Sequence, residues 1–233
     1  MKRLIPFLFL VSTAYAGTTY HKDSDWNFGL QSYHRQDVKW ASEKDNKFLE
    51  FRLEGGTAGH GSGDNVKRHG APFWERNEYT GESRMGRNNP YSVSFQFRIV
   101  KGFNGNRETF FQVHSWDQSC PLYPQLMMKF DQGKLSLHPL NDQGFHKPVY
   151  VDKHVDEVFN KWVEVRMTAE PVDKDHVKYT FDGELFNNTP VSVVATLHEC
   201  SNQNLKFGIY RPGKEQGIND TSIIQFDKIQ VNK

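Results

Sequence analysis

The sequence predicts an all-β protein, a β-sandwich or jelly roll. Short stretches in which apolar and polar residues alternate recur along most of the chain. Turn-forming clusters such as Asp131-Gln132-Gly133 and Asp182-Gly183 separate them. No stretch carries a long helical period, and no internal repeat or low-complexity tract appears.

The chain opens with basic Met1-Lys2-Arg3, an apolar run Leu4–Val11 and the small-x-small triplet Ala14-Tyr15-Ala16. This is the pattern of a secretory signal peptide over 1–16, leaving 17–233 as one domain. The alternative, a membrane anchor, needs about 20 apolar residues, and this run is far shorter. The mature protein is therefore expected to be secreted, to the periplasm or the extracellular space. Its formal charge of +1 argues against nucleic acid or a membrane as partner. A local basic cluster can still draw in a polyanion. Cys120 and Cys200 are the only cysteines, and an oxidising destination favours one disulfide between them over two free thiols.

Taken in order, Thr18–Val38 reads as an N-terminal arm with one edge strand. Lys47–Leu53 is a strand, and Glu54–Gly70, rich in Gly, Asp, Asn and His, is a long loop. Phe73–Thr80 resumes strand character, with Trp74, Arg76 and Glu78 on one face. Tyr91–Val100 gives the clearest alternation in the chain: Tyr91, Val93, Phe95, Phe97 and Ile99 against Ser92, Ser94, Gln96 and Arg98. Phe110–Trp116 follows. Leu126–Phe130 and Lys134–His138 flank the Asp131-Gln132-Gly133 turn as a hairpin. Asp156–Lys161 reads as one helical turn, and Trp162–Thr168 and Val177–Phe181 as strands. Asp182-Gly183 is expected to turn into a further strand at Glu184–Phe186. Leu205–Arg211 and Ile223–Val231 close the chain.

Two of these strands carry chemistry. In F-F-Q-V-H-S-W, Phe111 and Val113 point to one side, with Gln112 and His114 on the other beside Phe110 and Trp116. In L-K-F-G-I-Y-R, Leu205, Phe207 and Ile209 point inward while Lys206, Gly208 and Tyr210 point outward. If the strands are neighbours, His, Gln, Lys and Tyr share a surface, and Gly208 lets something approach the backbone there.

Gln112-Val113-His114 and Lys206-Phe207-Gly208-Ile209-Tyr210 resemble two signatures of the jelly-roll alginate lyases, a Gln-x-His strand and a Lys-x-Gly-x-Tyr strand. Arg76-Asn77-Glu78 matches the start of that family's Arg-x-Glu strand, but the family's second arginine falls at Thr80 here. The wider frame (K-W-V-E-V-R-M, Y-T-F-D-G-E-L-F and L-K-F-G-I-Y-R) is more similar to heparin lyase I and glucuronan lyase. The resemblance covers Phe73 to the C-terminus. It implies a concanavalin-like sandwich with a concave active face, and β-elimination on an acidic, uronic-acid-containing polysaccharide.

That reaction removes the C5 proton beside a carboxylate and expels the C4 oxygen, so donors must neutralise the carboxylate. Arg76 offers a planar fork and Gln112 an amide. Tyr210 and His114 are the candidate base and acid, with Lys206 placed to favour the phenolate. Syn elimination would use Tyr210 alone; anti elimination would use both. Glu78 is expected to orient Arg76 or Lys206. Arg84, Trp116 and Arg211 are grouped with Lys206 and Glu78 as substrate-binding residues, and Arg87, His60, His69 and Trp74 are further candidates to line a subsite.

Each of these residues also has a plainer reading: a packed strand tyrosine, a structural histidine, a surface ion pair. The class alternative is a non-catalytic, lectin-like carbohydrate-binding module on the same sandwich. A glycoside hydrolase ranks last, since no strand carries the needed carboxylate pair. No zinc spacing appears among the ten histidines, and no cofactor is expected. A structural or activating calcium could sit at Asp23–Asp25 or Asp152–Glu157, although neither matches a defined calcium loop. The chain is expected to act as a monomer.

Overall fold

Period-two sequence becomes two stacked sheets. A computed structural model describes residues 19–32, 37–56, 58–59, 64–67, 69–115, 123–197, 202–214 and 219–233. The signal-peptide segment, His60, Trp116, Cys120 and Cys200 lie outside the described residues. The strands are β1 (Thr19–His21), β2 (Leu30–Ser32), β3 (Val38–Glu43), β4 (Asn46–Leu53), β5 (Trp74–Gly81), β6 (Tyr91–Lys101), β7 (Glu108–Ser115) and β8 (Pro124–Asp131). They continue with β9 (Lys134–Pro139), β10 (Val149–His154), β11 (Val163–Pro171), β12 (His176–Asp182), β13 (Val191–Thr196), β14 (Gln203–Pro212) and β15 (Ser222–Asn232).

One sheet has eight strands in the order β1-β2-β5-β14-β7-β8-β9-β10, and the other has seven in the order β13-β12-β11-β6-β15-β4-β3. Every pairing between these strands, among the described residues, is antiparallel, and the whole is a jelly-roll sandwich, as the sequence predicts. Between the sheets lies one aromatic-rich core. Phe95, Phe111, Phe207 and Phe226 meet there with ring centroids 5.1–5.9 Å apart. Such pairs contribute about 0.5–1.5 kcal/mol each beyond the area they bury. Among the described residues no helix is long and apolar enough to cross a membrane.

Several local expectations need correction. Glu184–Phe186 is a 3-10 turn and not the return strand of a hairpin. Left-handed Asn187 and Asn188, at φ 54° and 53°, curl the chain. Leu185 and Phe186 then drop into the core, where Phe186 stacks on Phe181. The true partner of β12 is β13. The helical turn is shorter than Asp156–Lys161, a 3-10 turn over Val155–Glu157. The N-terminal arm holds β1 and β2, paired to each other and through β2 to β5. Phe110 does not flank Gln112 on the wet face. A register shift against β8 between Thr109 and Phe111 turns it inward, onto Phe97 at 4.7 Å and Phe130 at 5.5 Å. The β8–β9 hairpin forms as expected, with Gln132 and Gly133 both at positive φ as a primed turn requires.

Candidate active site

Strands β5, β14 and β7 run side by side in the middle of the eight-stranded sheet. Their apolar alternates, among them Tyr79, Leu205, Phe207, Ile209, Phe111 and Val113, face the other sheet. The remaining alternates must therefore face away from the core. Register pairs Arg76 with Tyr210, Glu78 with Gly208 and Thr80 with Lys206 across β5 and β14. Across β14 and β7 it pairs Lys206 with Gln112 and Asn204 with His114. Arg76, Glu78, Gln112, His114, Lys206 and Tyr210 thus occupy one patch.

The patch is polar, covered by no second sheet, and still buried. Tyr210 is only 8% exposed and Gln112 2%, and Arg76 alone of the six is half-buried. A flat, solvated sheet face would leave such side chains open, so the surface here is recessed. Part of the wall comes from Gly59 and Asp64, which bond to the first residue of β5. Gly59 N–H donates to the Trp74 carbonyl at 2.8 Å, and Trp74 N–H donates to the Asp64 carbonyl at 2.7 Å.

Glu78 ties the patch together. One of its oxygens accepts from Arg76 Nη1 at 3.0 Å, and the other accepts a short hydrogen bond from Gln112 Nε2. It orients Arg76, as the sequence suggests, and Gln112 as well. The Arg76 fork is not open to a substrate carboxylate in the way the sequence suggests. Its Nε and Nη2 each donate to the fully buried Asp64 at 2.9 Å, and Nη1 is held by Glu78. Burial opposes the guanidinium's charge, but Glu78 and Asp64 outweigh it and hold its pKa above the ordinary value. The charge is spent locally: the Arg76 guanidinium lies 4.3 Å from the Tyr210 ring centroid, and Trp74 stacks on that ring at 4.9 Å.

His114 donates from Nδ1 to the Ser115 carbonyl at 2.5 Å, since a carbonyl can only accept. In the neutral ring Nε2 is then the nitrogen without a proton. Lys206 is pulled down to about 8, by burial first and by the facing Arg76 charge second, with Glu78 and Asp64 opposing. Gly208 has φ 140°. A Cβ there would meet the Asn77 carbonyl oxygen at 2.2 Å and Glu78 Cα at 2.7 Å, so what approaches this backbone is strand β5 itself.

The other sequence candidates divide. Trp74 joins the patch through Tyr210. Arg211 does not, because it shares the inward side of β14 with Ile209. Its Nε donates to Glu75 at 2.5 Å and its Nη1 to Ser222 of the opposite sheet, so it clamps the sandwich. Arg84 is exposed after β5, its carbonyl accepting from Lys233. Arg87 pairs with Asp175 at 3.1 Å. His69 packs edge-on to Trp74 at 6.4 Å. Sequence reasoning missed Asp64, which sits in a loop with no periodic signal.

Among the described residues no three His, Cys, Asp or Glu side chains gather as metal ligands do. Of the calcium candidates, Asp23 pairs with Lys47 and Asp152 with Lys134.

By sequence, the chain matches no protein-family model and no curated protein. By structure it is similar to an endo-β-1,4-glucuronan lyase from the fungus Trichoderma reesei, at 13% identity over 94% of this chain and 95% of that one, TM-score 0.63. It is also similar to a family 7 alginate lyase solved with a product, at 13% identity over 83% and 82%, TM-score 0.55. An alginate lyase from Pseudomonas aeruginosa is similar at 12% identity over 85% and 87%, TM-score 0.55. The likeness is one of fold: the chain has the jelly-roll architecture of polysaccharide lyases.

Proposed function

We propose that the protein is a secreted polysaccharide lyase that cleaves a uronic-acid polysaccharide by β-elimination. The observation that carries this is the convergence of Gln112, His114, Lys206 and Tyr210, from two neighbouring strands, with Arg76 and Glu78 from a third. The structural neighbours support the same class, since they are alginate and glucuronan lyases that share the architecture.

Abstraction of C5–H puts further negative charge beside a carboxylate. Gln112, held by Glu78, keeps one amide N–H for that group, and the Lys206 ammonium stands across from it. Arg76 serves as a fixed positive charge against the Tyr210 ring and not as the carboxylate clamp. His114 offers Nε2 as proton acceptor, and the Tyr210 hydroxyl donates to the departing C4 oxygen. In the syn variant Tyr210 performs both transfers. Proton balance is the same in each: one proton leaves C5, one reaches O4, and a C4–C5 double bond remains.

The test is incubation with alginate, glucuronan and heparin while following the ultraviolet absorbance of that double bond. Absorbance growth that Tyr210→Phe abolishes, with polysaccharide binding kept, is the expected result. New reducing ends without absorbance would make the protein a hydrolase, and retention on immobilised polysaccharide without product would make it a binding module.

A further inference from the structure

We propose that Lys129 binds the carboxylate of a second uronate, on a sugar unit neighbouring the one cleaved. The inference rests on the lyase reading and extends it along the groove.

Its basis is register. Leu126, Met128 and Phe130 of β8 are buried in the core, so Lys129 faces the same side as the active-site patch. Arg76 lies opposite Tyr210, Tyr210 opposite Thr109, Thr109 opposite Lys129, and Lys129 opposite Ser136. Lys129 is therefore in one cross-strand row with Tyr210, separated from it by a small threonine. Two strand spacings put their backbones about 10 Å apart. That is the same groove, but too far for both to serve one carboxylate.

Lys129 is only 8% exposed. Among the described residues no ion pair or hydrogen bond reaches its ammonium; the Ser136 hydroxyl donates to its backbone carbonyl instead, at 3.2 Å. Two groups act on it from a distance, Asp131 favouring its charge and Arg107 opposing it. The neighbouring His138 adds no second positive charge. Its Nε2 lies 2.9 Å from Ser136 Oγ, and burial pushes its pKa down to about 2, leaving it neutral. Arg107 in turn sits 5.7 Å from the Trp74 ring that stacks on Tyr210. Removing an ammonium from water without a partner costs several kcal/mol, a cost that an incoming anion offsets. Burial and the facing Arg107 charge lower Lys129 to about 8, which fits a cation waiting for a counter-ion.

The experiment compares wild type with Lys129→Met, which fills the same space without charge, and Lys129→Arg, which restores the charge. Kinetics are measured on the cleaved polyuronate and on its oligomers of decreasing length. Lys129→Met is expected to raise KM for the polymer about tenfold, the worth of one charge-assisted contact, with kcat kept. The smallest oligomer that is still cleaved should show no such penalty, and Lys129→Arg should recover most of the polymer KM. Equal loss at every length, or no loss, would overturn the proposal. Should wild type cleave nothing, the lyase reading fails separately. Retardation in gels cast with alginate, glucuronan or heparin then decides the site. Weaker retardation of Lys129→Met in the glucuronan and alginate gels supports it. Unchanged retardation, or a change with heparin alone, which would point to sulfate, overturns it.

Discussion

The outer faces of the two sheets are built from the same kind of strand and are opposites in character. On the seven-stranded sheet, Ser92, Ser94, Gln96 and Arg98 of β6 and Glu164, Arg166 and Thr168 of β11 are all half-buried or exposed. Their charges pair at the surface, as Arg166 does with Asp182 at 2.9 Å and Glu164 at 3.2 Å. On the eight-stranded sheet, β7 and β14 are buried at every position, on both faces. Alternation alone makes a sandwich. Polar residues kept under cover on its far side add a cost that folding does not require, and such positions are where chemistry is to be sought.

The contrast can be broken in order of expected effect. Tyr210→Phe should lower kcat by about 10²–10⁴, the usual worth of a positioned proton carrier, with an unchanged melting curve. Arg211→Ala should then destabilise the fold by about 3–5 kcal/mol in denaturant unfolding, because the fully buried Glu75 keeps only neutral donors, Gly56 N–H and Asn219 Nδ2, against its charge. Arg166→Ala, on the exposed face, is the matching control and should leave the unfolding curve where it was.

Between these lies a pH signature. Burial holds Lys206 at about 8 in the folded protein against its ordinary 10.5, so the unfolded chain binds more protons in that interval. Stability from this group therefore rises as pH climbs from about 8 towards 10.5, and its full penalty is present below about 8. Subtracting the unfolding free energies of Lys206→Met from those of wild type across that range should show the wild type gaining. A flat difference would mean that Lys206 is better solvated than its burial implies.

What could be read from the sequence follows the range of each interaction. The core of β6 and the outward set Lys206, Tyr210, Gln112 and His114 were legible because period two is local and the motifs sit on it. Arg211 was legible too and was misplaced: it shares parity with Ile209, and that alone puts it inside. Phe110 was not legible, because the register shift that turns it inward is set by the pairing with β8. Edge strand β10 lacks a clean pattern because none of its positions is buried, and in β13 the apolar but exposed Val194 blurs the alternation. Asp64 was the hardest to foresee. Its bond to Arg76 depends on the path of a loop, and no periodicity in the intervening residues encodes that path.

Glu75 and Arg76 are chain neighbours on β5 that point in opposite directions, one locked to Arg211 between the layers, the other beside Tyr210 in the recess. Slipping this strand by a single residue would put Arg76 in the place of Glu75 and Asn77 in the place of Arg76, leaving a guanidinium where the closure needs a carboxylate and taking it from beside Tyr210. Closure and chemistry are therefore inherited as one register. New specificities in this scaffold must come from replacing side chains along fixed rows, never from sliding a strand.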